Sequence, residues 1–147
     1  MKAQDRVIIL MAEDDPDDRA LIMDAFQETR IQGELRVVKN GQELLDYLYN
    51  RGDFEITENA PKPQLILLDL NLPGVGGHEV LEEIKSHSTL RRIPVVVLTT
   101  SQDEQDVIRS YSAGASSYIT KPQSFEGLVN VIGLLGKYWL EVAELPF

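Results

Sequence analysis

No cysteine occurs anywhere in the chain, which excludes disulfides, thiol catalysis and cysteine-ligated metals. Long apolar runs are missing as well: the longest, Val7–Ala12, is far short of a membrane span. The opening residues MKAQDR lack the apolar stretch of a signal peptide, so the expected location is the cytoplasm, with no membrane partner. Basic residues are scarce. Lysine and arginine number 14 against 24 aspartates and glutamates, and the net charge of −10 repels phosphate backbones, so direct nucleic-acid binding is not expected. What remains is an ordinary globular composition, 43% hydrophobic and 26% charged, in 147 residues that suit one domain.

Three apolar runs, Val7–Ala12, Leu65–Leu68 and Val95 to Leu98, are short, rich in branched residues and unalternated. Such runs suit strands covered on both faces, as in a parallel sheet between helices. Leu35 to Val38 and Ser117 to Thr120 read as two more peripheral strands. Helical spacing fills the intervals: Leu21, Ile22, Ala25 and Phe26 share a face, as do Leu44, Leu45 and Leu48, then Val80, Leu81 and Ile84, then Val107, Ile108 and Tyr111. A last helix is expected from near Ser124 to beyond Trp139. The alternation predicts an α/β fold, a doubly wound five-stranded parallel sheet with helices on both faces. Asn50 to Pro63 reads as a surface loop rather than a domain boundary.

In such a sheet ligands bind beyond the carboxyl ends of the strands. Glu13, Asp14 and Asp15 follow the first strand, Asp69 the third, Thr99 and Thr100 the fourth, and Lys121 the fifth. The acidic run divides in two. Asp15 before Pro16 reads as a helix N-cap, and Asp17 and Asp18 suit the positive end of a helix dipole. Glu13 and Asp14 have no capping duty. Placed beside Asp69 they would repel it unless a cation intervenes, and Mg²⁺ is the natural hard ion for oxygen ligands. A solvated acidic loop is the plain alternative. His78 and His87 read as solvated helix residues, because neither has ligand spacing to another candidate.

The strings VIILMAEDD, LILLDLNLPGVGG, PVVVLTTS and GASSYITKP, in that order and strand context, resemble the receiver domain of two-component response regulators. The resemblance spans nearly the whole chain and implies a CheY-like sheet of strand order 2-1-3-4-5, with residues 138–147 as a C-terminal extension of a single domain. It implies that Asp69 accepts a phosphoryl group from a sensor histidine kinase. Asp14 and Asp69 would bind Mg²⁺ through carboxylates, Asn71 through its backbone carbonyl, and Glu13 through a water. Thr99 would hydrogen-bond one phosphoryl oxygen and Lys121 pair with another, while Tyr118 would swing inward as Thr99 shifts. Pro73 and Gly77 match the turn after the phosphoacceptor, and the Lys121–Pro122 bond would be cis.

Two positions depart from the family pattern. Thr100 stands where alanine or glycine is usual and is expected to limit access to the site; Gly76 stands where an acid is common. The long loop, the phrase RRIPVVVLTTS and the ending KYWLEVAELPF resemble stand-alone regulators paired with phytochrome photoreceptor kinases, which implies such a kinase as partner and a homodimer as the working form. The apolar positions from Phe125 to Val142, with Leu145 and Phe147 beyond, exceed one helical stripe and are expected to form the dimer contact; folding back on the chain's own domain is the alternative. Three other functions compete. A haloacid dehalogenase-type hydrolase needs a second aspartate two residues after the first, where this chain has Asn71. A flavin binder needs a phosphate-cradling loop where this chain has EDDPDD. A receiver-like module that binds partners without phosphorylation would more often lack one of the acid, threonine and lysine set.

Overall fold

The computed structural model describes residues 7–56 and 60–146. Phe147 and residues 57–59 of the long loop lie outside them. Five strands, β1 (Val7–Ala12), β2 (Gly33–Val38), β3 (Leu65–Leu68), β4 (Val95–Thr99) and β5 (Ser117–Thr120), form one sheet. All pairings are parallel and the order is β2-β1-β3-β4-β5, as expected. Between the strands run α1 (Pro16–Thr29), α2 (Gly41–Tyr49), α3 (Gly77–Ser86) and α4 (Glu104–Ser112), and α5 (Phe125–Gly136) follows the last.

Unalternated strands are explained by two cores, one on each face. Side chains alternate across a strand. Leu65 and Leu67 of β3 therefore join Ile22 and Phe26 of α1 and Leu128, Ile132 and Leu135 of α5. Ile66 and Leu68 point the other way, to Leu44 and Leu45 of α2 and Val80, Leu81 and Ile84 of α3. Each such side chain, fully buried, contributes on the order of 2 kcal/mol. Polar residues would be costly on either face, and both β3 and β4 are buried throughout.

Helix starts follow the sequence. Asp15 caps α1, its side chain accepting from the amides of Asp17 and Asp18, with Pro16 at the first position. Two apolar faces turn out differently from expectation. Leu21 of α1 is 45% exposed, although Ile22, Ala25 and Phe26 are buried. On α4, Ile108 and Tyr111 are both about half exposed, and Ser110 is that helix's buried residue. Helical periodicity locates an apolar stripe without fixing the roll of a peripheral helix against its sheet.

The last helix continues past α5 as a π-helical segment, Lys137–Val142, where the amide of Ala143 reaches the carbonyl of Tyr138 at 2.7 Å. The wider turn splits the apolar tail. Trp139 and Leu140 pack against the domain's own α1–α5 core, whereas Leu134, Tyr138 and Val142 stay exposed. The alternative of folding back on the domain thus holds for Trp139 and Leu140, and the other side of the helix is left open to solvent.

Candidate functional site

Strands β1, β3, β4 and β5 end at one edge of the sheet, and each delivers one candidate side chain there. Glu13 follows β1, Asp69 follows β3, Thr99 ends β4 and Lys121 follows β5. All but the lysine are buried, with Glu13 2%, Asp69 5% and Thr99 0% exposed. The Lys121 Nζ donates to Asp69 Oδ2 at 2.7 Å and to Glu13 Oε1 at 2.5 Å. Its backbone is held in turn, the amide donating to the Thr99 carbonyl at 2.7 Å, which extends the β4–β5 ladder by one residue. No cis peptide bond occurs among the described residues, so the expected cis Lys121–Pro122 bond is corrected to trans. The ammonium reaches both carboxylates without it.

The charges are unbalanced. Two buried carboxylates face a single ammonium, which leaves one negative charge in a low-dielectric setting. Burial pushes Glu13 above its usual range, against the hydrogen bond from Lys121 that lowers it. For Lys121, burial opposes the charged form, but the hydrogen bonds to Asp69 and Glu13 outweigh it and the net shift is upward. Taking such charges out of water is costly, and buried ion pairs of this kind cluster at functional sites.

The remaining lone pairs are organised by the turn residues. Asp69 Oδ1 accepts from the Asn71 amide at 3.0 Å, leaving the exposed Asn71 otherwise turned to the rim. Arg19, which the sequence reading passed over, donates from one nitrogen to the carbonyls of Glu13 and Asp14 at 2.9 Å each. It fixes the turn after β1; an arginine one helical turn beyond an N-cap was the available signal. Gly77 is required by space: a Cβ there would lie 2.5 Å from the Asp69 carbonyl oxygen and 2.5 Å from the Leu70 Cα. Pro73 lies in the exposed turn between them.

The expected metal ligands are only half gathered. Glu13 and Asp69 converge, but on Lys121, while Asp14 is exposed at the rim. Among the described residues no three His, Asp or Glu side chains are grouped to hold a metal ion. The excess negative charge of the buried pair, with Asp14 adjacent, is nevertheless the donor chemistry that a hard divalent cation suits. Gly76, the other departure, starts α3, and its amide donates to Glu79 Oε1 at 3.2 Å, so the helix is capped by an acid from within.

Beyond Thr99 the chain carries the second half of the site. Thr100, next in the chain after the buried Thr99, is exposed. Tyr118 is half-buried against the α2–α3 core, and its hydroxyl donates to the Ser101 carbonyl at 2.9 Å. Both histidine expectations are corrected. The His78 side chain is 12% exposed, with Nε2 3.2 Å from Asp106 Oδ1. His87 ends α3, where Nδ1 accepts from the amides of Thr89 and Leu90 at 3.1 Å. Spacing to other ligands was the wrong test for either ring, because their partners are a distant helix and the local backbone.

The response regulator receiver domain model matches residues 9–133 of this chain. Response regulator Rcp1 of Synechocystis sp. is 42% identical over 139 residues, 95% of this chain and 92% of its own length. The phosphorylated cyanobacterial phytochrome response regulator RcpA superposes with a TM-score of 0.88 at 42% identity, covering 97% of this chain and 99% of that one. The Mn²⁺-bound form of Rcp1 does so with a TM-score of 0.85 at 41% identity, covering 96% and 99%.

Proposed function

Because the chain belongs to the response regulator receiver domain family, we propose that Asp69 accepts a phosphoryl group from the phosphohistidine of a sensor histidine kinase and thereby switches a protein-interaction surface. The observation that carries this reading is Lys121, held between Asp69 and Glu13 at 2.7 and 2.5 Å beside the buried Thr99. An Asp69 oxygen forms the new bond to phosphorus as the phosphorus–nitrogen bond to the imidazole breaks. Lys121 is placed to pair with one oxygen of the transferred group and the Thr99 hydroxyl to donate to another, which is electrostatic positioning rather than acid–base work. Asp69, Asp14, the Asn71 carbonyl and, through water, Glu13 would hold Mg²⁺, which would supply the charge that neutralises the third oxygen. Tyr118 reports the result, through its bond to the loop that begins at Thr99. The chain is read as a single receiver domain with residues 138–147 as an extension.

Partners follow from surfaces. A cleft lined by Asp18, Leu21, Ile22, Lys121, Pro122 and Phe125 opens beside the lysine. Leu21 and Phe125 are 45% and 41% exposed at its walls, which suits docking of a kinase helix next to the phosphoacceptor. Kinship with Rcp1 and RcpA favours a phytochrome-type kinase. The exposed stripe of Leu134, Tyr138 and Val142 suits a second copy of the chain, related by a two-fold axis.

The test is labelling by acetyl phosphate. Wild type should be phosphorylated only with Mg²⁺ present, Asp69→Asn should not be labelled, and Lys121→Ala should keep some label while losing the conformational response. Labelling of Asp69→Asn at the wild-type level would overturn the assignment and favour a module not controlled by phosphorylation at this residue.

A further inference from the structure

Ser101, two residues beyond Thr99, meets four groups at once. Its amide donates to Thr99 Oγ1 at 3.4 Å, and its carbonyl accepts from the Tyr118 hydroxyl at 2.9 Å. Its hydroxyl donates to Asp106 Oδ2 at 2.6 Å while accepting from the Asp103 amide at 3.3 Å. The other Asp106 oxygen lies 3.2 Å from His78 Nε2. The Ser101 hydrogen bond, and then that from His78, hold the Asp106 carboxyl below the usual carboxylate range, so it is an acceptor and Nε2 must donate. Among the described residues Nδ1 of the same ring is buried without a partner, which leaves Asp106 as the contact that satisfies the imidazole.

One end of this chain of bonds lies against the Asp69 backbone and the other reaches the buried Thr99. His78 follows Gly77, whose amide donates to the Leu70 carbonyl and whose backbone presses on Asp69. Ser101 follows the buried Thr99. The route Asp69, Leu70, Gly77, His78, Asp106, Ser101, Thr99 is therefore a continuous chain of bonds that joins α3, α4 and the loop after β4. Only Ser101 also holds Tyr118, and it does so with that ring packed against the core.

We propose that His78, Asp106 and Ser101 form a latch that positions the loop after β4 so that Tyr118 is held in its core-packed form, raising the affinity of the site for a phosphoryl group. This rests on Asp69 being the phosphoacceptor. Without the latch the Ser101 carbonyl is free to move, the Tyr118 hydroxyl loses its fixed acceptor, and Thr99 is no longer held in place by the Ser101 amide. These are positioning residues, since none touches the transferred group.

The experiment is calorimetric titration of the full chain with beryllofluoride in saturating Mg²⁺, beryllofluoride standing in for the phosphoryl group. Asp106→Ala should weaken binding by roughly fivefold or more, and His78→Phe, which keeps the ring's bulk, should weaken it in the same direction. In a Tyr118→Phe background, where no hydroxyl reaches Ser101, most of the effect of Asp106→Ala should vanish. A merely structural link between α3 and α4 would lower thermal stability equally in both backgrounds and leave the non-additivity absent. Binding by both variants within twofold of wild type, or an undiminished effect in Tyr118→Phe, overturns the latch. Failure of wild type itself to bind is a different result: it overturns the phosphoacceptor reading and the latch with it.

Discussion

Tyr47 and Thr100 show how much one side chain can decide. Tyr47 is 2% exposed, and its hydroxyl donates to the Pro61 carbonyl at 2.6 Å, tying the long loop down. Burial pushes the phenol from its usual 10.0 up to about 12. The unfolded chain therefore gives up this proton first as pH rises, and the native state loses stability from pH 10 towards about 12. Tyr47→Phe should cost about 1 kcal/mol at neutral pH, for the lost hydrogen bond. It should then recover roughly 2 kcal/mol relative to wild type across the alkaline window. Urea midpoints from pH 8 upward test this, and parallel curves for the two proteins would contradict it. Thr100 is exposed and follows the buried Thr99. Thr100→Ala should speed loss of phosphate from Asp69 by admitting water, measured as the decay of the labelled form. Decay at the wild-type rate, or slower, would remove the steric account.

At the scale of elements, the contact between the turn after β3 and the start of α3 leaves no room for a side chain. The missing Cβ of Gly77 is what lets the helix start against the Asp69 carbonyl. Gly77→Ala should destabilise the fold by about 1–3 kcal/mol through overpacking, with α3 pushed away from the turn after Asp69. Denaturant unfolding reads the first effect and acetyl phosphate labelling the second. A variant as stable and as readily labelled as wild type would mean that the turn yields without cost. Alanine is the right probe because φ at Gly77 is not positive, so space alone is tested.

At the scale of the whole molecule, the helix that leaves the sheet after β5 has two apolar sides with separate fates. Trp139 and Leu140 cover the chain's own core, so cutting the chain at Lys137 would damage folding and association together. Charge on the exposed side is the cleaner test. Leu134→Glu and Tyr138→Glu should turn a dimer into a folded monomer, with unchanged circular dichroism and a halved mass by sedimentation at micromolar concentration. A wild-type monomer, or a dimer insensitive to both changes, would count against this stripe as the contact.

The sequence by itself determined the sheet, its strands to within two residues, the cap at Asp15, and the set Glu13, Asp69, Thr99 and Lys121 at one edge. Those features depend on local patterns: unalternated runs mark doubly covered strands, and the ends of parallel strands share one edge. Tertiary structure alone decided that Lys121 bridges Glu13 and Asp69 on a trans bond, that Leu21, Ile108 and Tyr111 face outward, and that Trp139 turns inward while Tyr138 does not. It also placed His78 against Asp106, which lies 28 positions further along the chain. Periodicity specifies which residues share a helix face but not how that helix is rolled. Hydrogen bonds between helices distant in sequence arise only when packing sets that roll.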